Sequence, residues 1–144
     1  MLGRKMPSVA VIGYGAMARY VAQHLVDSPW QLGPCIIRPG REAAAQAALG
    51  TAPALIHGVD DLAQMPDLVV DCAGHAGLVA HGAGFLQRGV PVLSASLGAL
   101  ADPDTLHLLE QAAQTGGAQL HLTSGAIGAL DALSAAKIGG LDSV

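Results

Sequence analysis

The stretch from Ser8 to Ala18, SVAVIGYGAMA, constrains the fold more than any other part of the chain. From Ser8 to Ile12 the residues are apolar on both faces, as in a parallel strand covered by helices on both sides. Glycines at positions 13 and 15 follow at once. Ala16 to Val26 then places apolar residues at Met17, Val21 and Leu25, a helical spacing. A buried strand turning over glycines into a helix opens a βαβ unit, and such units build right-handed crossovers on a parallel sheet.

The same alternation continues along the chain. Cys35–Arg38 (CIIR) reads as a second strand, and Arg41–Gly50 as an Ala-rich helix closed by Gly50. Thr51 to Pro66 is looser, with room for a short edge strand or a turn. Asp67–Gly74 is a third strand and its exit, and Ala76–Arg88 a helix despite Gly77, Gly82 and Gly84. Val90–Ser96 reads as a fourth strand. Asp102-Pro103 marks a helix start, Asp as N-cap and Pro in the first turn, and that helix runs to Gly116-Gly117. Ala118–Leu122 reads as a fifth strand. The expected fold is α/β, a doubly wound parallel sheet over residues 1–123.

Composition narrows the function classes. Of the 144 residues 51% are hydrophobic and only 12% charged, the opposite of a disordered chain. The net charge of −4 comes without a basic stripe, so neither nucleic acid nor an anionic membrane is an expected partner. No apolar run reaches the ~18 residues of a membrane span. The first residues lack the apolar core of a signal peptide. Cys35 and Cys72 form no CxxC or other ligand pair, which fits a reducing compartment. The expectation is a cytoplasmic protein.

The turn itself carries the chemistry. Gly13-Tyr14-Gly15-Ala16-Met17-Ala18 matches G-x-G-x-x-G/A in a strand–turn–helix context, the Rossmann-type fingerprint for a dinucleotide. Gly13 permits the tight turn, Gly15 lets a pyrophosphate approach the backbone, and Ala18 lets helix and strand pack closely. The helix N-terminus offers N–H groups and a positive dipole end. Where NAD-selective folds place an acid at the second-strand end, this chain has Arg38-Pro39-Gly40-Arg41. Either the arginines hold the 2′-phosphate of NADP, or Arg41 is a solvated residue at a helix start. NAD or NADP is the expected cofactor.

An open α/β sheet binds ligands beyond its C-terminal strand ends. That selects Cys72 to His75 with Ala73 and Gly74, Ala95 to Ala99 with Ser96 and Gly98, and Thr123 to Ala126 with Ser124 and Gly125. His75 can hydrogen-bond a cofactor or substrate, or be a solvated cap. Asp71 suits a structural hydrogen-bonding role. His24, His57, His81, His107 and His121 show no metal-ligand spacing, and no metal is expected. G-x-S-x-G is absent, and Ser94 and Ser96 have no identifiable base.

Three stretches, VAVIGYGAMARYV, VVDCAGHAGLVAHGAGFLQRGVPVLSASLGALAD and LTSGAIGALDALSAAKIGGLDSV, together resemble the L-aspartate dehydrogenase family. The resemblance spans Ser8 to Val144, and the SGAIG-x-LDAL block is its most specific part. It implies a Rossmann-type domain followed by an α/β substrate domain. It further implies NAD(P)-linked oxidation of L-aspartate to iminoaspartate, which yields oxaloacetate and ammonia or feeds NAD biosynthesis. By position, Gly13, Gly15, Ala16 and Met17 would carry the pyrophosphate, and Ala73 and Gly74 would border the cofactor's path. Ser96, Gly98, Ser124, Gly125 and Ala126 would lie near the nicotinamide. The family's catalytic histidine is expected beyond Val144, so no catalytic residue is assigned here. A homodimer formed through the substrate domain is implied for the whole protein.

On the same resemblance, residues 124–144 would be an interdomain segment. It comprises a turn, a helix from Leu130 to Lys137 ended by Gly139-Gly140, and the start of the substrate domain. Two other readings stay open. One is a different two-domain dehydrogenase, homoserine-dehydrogenase-like or imine-reducing; the other is a non-catalytic NAD(P)-sensing module.

Overall fold

The computed structural model describes residues 5–123. The strands are β1 (Ser8–Ile12), β2 (Gln31–Ile36), β3 (Leu55–Ile56), β4 (Leu68–Asp71), β5 (Val92–Ser94) and β6 (Leu120–Leu122). Between them lie α1 (Ala16–His24), α2 (Glu42–Leu49), α3 (His75–Gly77), α4 (Ala83–Gln87) and α5 (Pro103–Gly116). A π turn, Leu78–Gly82, joins α3 to α4 in one continuous helical rod. Every strand pairing is parallel, and the order is β3-β2-β1-β4-β5-β6.

This is the expected doubly wound α/β fold. The chain winds outward from β1 to β3, then returns to β4 on the other side of β1. Winding reverses there, and a crevice opens between the exits of β1 and β4. Ile12 pairs with Ile36 on one side and Asp71 on the other, and Asp71 with Ser94, so these exits end level.

Alternating residues of β1 supply both cores. Ala10 and Ile12 pack with Val69, Val92, Phe85, Leu86 and Leu109 under the helical rod and α5. Val9 and Val11 pack with Cys35 and the fully buried Ala18 of α1. Each fully buried Phe, Leu or Ile contributes about 1.5–3 kcal/mol.

Boundaries differ from the sequence reading where backbone chemistry is unusual. β2 begins at Gln31 rather than Cys35 and ends at Ile36. Gly33 and Pro34 hide its first half, and the β1–β2 register slips there, between Val9 and Val11, as at a bulge. The looser stretch after Gly50 does hold an edge strand, β3. α1 ends at His24 in a short 3-10 turn, Leu25–Asp27, and further such turns, Val59–Asp61 and Leu97–Ala101, follow β3 and β5. The glycines in the helical rod are space-makers: a Cβ on Gly77 would sit 2.6 Å from the Ala73 Cβ and 2.9 Å from Asp71 Oδ1. α5 is as expected, with Asp102 accepting from Thr105 N at 3.1 Å and Gly117 left-handed beyond the last turn.

Candidate functional site

A cleft of about 650 Å³ opens at the crevice. Its walls are the Gly13–Gly15 loop after β1, Ile36 to Arg38 at the β2 exit, Cys72 and Ala73 at the β4 exit, and one face of the helical rod. A smaller hollow of about 370 Å³, lined by Ser8, Gln31 and Pro66 among others, lies beside the starts of β1 and β2.

Gly13 has φ +100°, and its amide donates to the Ile36 carbonyl at 2.8 Å, tying the loop to β2. A Cβ there would come within 3.1 Å of the Ala73 Cβ and 3.2 Å of the Cys72 carbonyl oxygen. Gly15 is different. Its backbone is ordinary and extended, yet a Cβ on it would meet nothing within 4 Å. Protein packing does not demand glycine at 15; the space over it belongs to the cleft. Gly15 also caps α1, with no side chain bonded to the helix start and no acid in its first turn. The uncapped N–H groups and the positive dipole end are therefore left to an anion. The loop fits a dinucleotide pyrophosphate.

Arg38 lines the cleft with its side chain exposed, and Arg41 precedes α2. Among the described residues neither guanidinium has a carboxylate within 4 Å. The nearby acid, Glu42, accepts from Gly40 N at 3.2 Å and lies 3.2 Å from His57 Nε2. Backbone N–H groups, its own and that of Gly40, hold its carboxyl below the usual range. Burial pushes the Cys72 thiol up to about 12, so it faces the cleft as a neutral group.

Asp71, at the end of β4, is buried and takes the structural role read from the sequence. It accepts from Ser94 Oγ at 2.8 Å, Ser96 Oγ at 2.9 Å and Ala73 N at 3.0 Å. One carboxylate thus clamps the exits of β4 and β5 together.

The cleft brings together Gly13, Gly15, Arg38 and Ala73 of the residues read from the sequence. Ala16 and Met17 form the first turn of α1, Met17 exposed, and Gly74 precedes α3 with φ +76°. Ser96 is buried and its hydroxyl is turned inward to Asp71. Gly98 lies under the exposed His75 ring, whose Cε1 would be 2.3 Å from a Cβ at 98. Ser124, Gly125, Ala126 and the rest of 124–144 lie outside the described residues. Sequence reading missed Ile37, Ala76, Gly77, Ala80 and His81 in the walls. The small residues at 73, 76, 77 and 80 were a signal: the last three share one helical face, beside Ala73 at the strand exit. Among the described residues no cluster of metal-ligating side chains forms, and no helix is long and apolar enough to cross a membrane.

Residues 13–123 match the family described as "Homoserine dehydrogenase, NAD binding domain". The chain belongs to this family. As an NAD-binding domain it is similar to the L-aspartate dehydrogenase of Ruegeria pomeroyi, 53% identical over 91% of this chain and 46% of that one. The enzyme of the same name from Cupriavidus necator is 43% identical, covering 96% of this chain and 53% of its relative. These similarities agree with the resemblance carried by the three sequence stretches. The aspartate dehydrogenase structure from Thermotoga maritima shares the fold, with a TM-score of 0.62 at 23% identity over 94% of this chain and 52% of that one. The NAD-binding domain spans about half the length of the relatives it matches.

Proposed function

We propose that this chain is the cofactor-binding part of an L-aspartate dehydrogenase. The observation that carries the reading is the glycine loop at the switch point, with open space over Gly15 beside an uncapped helix start. The likeness to L-aspartate dehydrogenases supports the substrate. In such a reaction the Cα–H bond of L-aspartate breaks, the amine loses a proton, and the iminoaspartate formed yields oxaloacetate and ammonia or enters NAD biosynthesis. Bound NAD(P) supplies the hydride acceptor.

The chain's own residues bind and orient. The Gly13–Gly15 loop and α1 hold the pyrophosphate, and Arg38, with Arg41 nearby, meets the adenosine ribose. Arginine there with Glu42 already engaged favours acceptance of a 2′-phosphate, so NADP is bound as well as NAD. The residues acting on aspartate, the catalytic histidine included, belong to a substrate domain outside these 144 residues. In this reading residues 1–123 form the dinucleotide domain and 124–144 lead out of it, within a homodimeric, cytoplasmic enzyme.

The test is titration of the 144-residue chain with NADH and NADPH, followed by assay with L-aspartate. Saturable binding of both and no aspartate-dependent NAD(P)H formation is expected. Absence of binding overturns the cofactor reading, and robust turnover by this chain overturns the division of labour. The homoserine-dehydrogenase description of the family keeps a second substrate in view. An extended polypeptide that oxidises homoserine in preference to L-aspartate would establish it.

A further inference from the structure

The helical rod after β4 turns Ala76, Gly77, Ala80 and His81 toward the cleft. The first three carry no polar side-chain atom. His81 is the exception, half-buried at the inner end of that face. It lies within the π turn Leu78–Gly82, a local irregularity that recurs at functional sites. No hydrogen bond to its ring nitrogens is found among the described residues. The ionisable groups in the same walls are Tyr14 of the loop, Arg38 of the β2 exit and Cys72, with Asp71 behind. Burial lowers the imidazole pKa, against a weaker opposing pull from Asp71, and keeps the ring neutral.

Geometry then orders the ligand. With the pyrophosphate on the glycine loop and the adenosine ribose at Arg38, the base is one glycosidic bond further on. The remaining walls at that end are Ile37 and the Ala80–His81 face. We infer that His81 reads the purine: its neutral imidazole accepts a hydrogen bond from the adenine 6-amino group, beside Ile37 and Ala80. An imidazolium has no acceptor and could not do this. The inference rests on the reading of the cleft as an NAD(P) site.

The experiment compares binding of NADH and of its purine analogue, with hydrogen in place of the 6-amino group, to the 144-residue chain. Wild type is expected to hold NADH about five- to tenfold more tightly than the analogue, the worth of one partly buried hydrogen bond. His81→Ala should lose that same factor for NADH and bind both dinucleotides equally. Equal wild-type affinities, or a preference that persists in His81→Ala, would overturn the assignment. Should His81→Ala fail to fold, His81→Phe, which keeps a ring but no acceptor, carries the comparison. Failure of wild type to bind either dinucleotide strikes the cofactor reading itself, a result separable from equal binding of both.

Discussion

The two ends of the crevice are built differently. At the adenosine end, residues 13 to 81 enclose a cleft from three directions: a glycine loop, a strand exit with an arginine, and a helix face with one histidine. At the β5 end the serine hydroxyls are already spoken for. The Ser94 and Ser96 hydroxyls donate to Asp71, and Gly98 is covered by the His75 ring. The first end presents unengaged groups to a ligand; at the second the serine hydroxyls are satisfied within the fold. In the proposed reading, the described residues that recognise the cofactor gather at the adenosine end, whereas Ser94, Ser96 and Asp71 hold the strand exits together at the other.

Variants that separate the two ends break or sharpen this contrast. The largest effect is expected from Gly15→Val, whose Cβ would meet no protein atom within 4 Å and whose methyls would enter the cleft. NADH affinity should fall on the order of 100-fold, about 2.7 kcal/mol, with an unchanged thermal midpoint. Isothermal titration with a melting curve checks both; a drop in midpoint as large as that in affinity would make Gly15 a folding residue. Asp71→Ala should do the reverse. It strands two hydroxyls and an N–H near the strand exits, costing about 2–4 kcal/mol of stability in urea unfolding. Binding of the fraction that stays folded should change less than in Gly15→Val.

Much of this asymmetry was legible in the sequence, for a physical reason. The glycine loop, Asp102-Pro103 and Gly117 are local devices, set by backbone conformation over a few residues, and each stands where the pattern put it. Asp71 was legible because a carboxylate ending a buried strand must find donors. The start of β2 was not, because Gly33 and Pro34 disfavour strand until the bulge beside β1 accommodates them. Ser96 read as a ligand contact from its place after a strand, yet its direction depends on Asp71, one strand away in the sheet. His81 was read only as one of five histidines without metal-ligand spacing. Its place in the cleft follows from the packing of a whole helix, which no short pattern encodes.

Smaller effects probe the adenosine end alone. Arg38→Ala should weaken NADPH about tenfold and NADH by no more than about twofold, since only the former carries a phosphate for the guanidinium. Equal losses would mean that Arg38 senses the pyrophosphate instead. ADP-ribose, which lacks nicotinamide, should bind wild type within about threefold of NADH, because the nicotinamide end contributes little affinity here. A much larger gap would show that the β5 end binds the ring strongly.

The mildest perturbation is acid. The His81 pKa is lowered from its ordinary 6.5 by burial, so the unfolded chain takes up the proton first as pH falls. Its contribution to stability is therefore neutral above about 6.5 and becomes destabilising below it, the unfolded state binding more protons. Affinity for NADH should decline over the same window and somewhat lower, since protonation removes the acceptor and places a cation beside Ile37 and Ala80. Tyr14, Arg38, Cys72 and Asp71 share the cleft region, so the total slope is not diagnostic. The difference between wild type and His81→Phe is. In denaturation that difference should be flat above neutral pH and change only on the acid side; in titration it should stand at about five- to tenfold above neutral pH and shrink on the acid side, where the acceptor is lost. A difference that is constant across pH would mean that His81 contributes shape alone and that its charge state is irrelevant to the base.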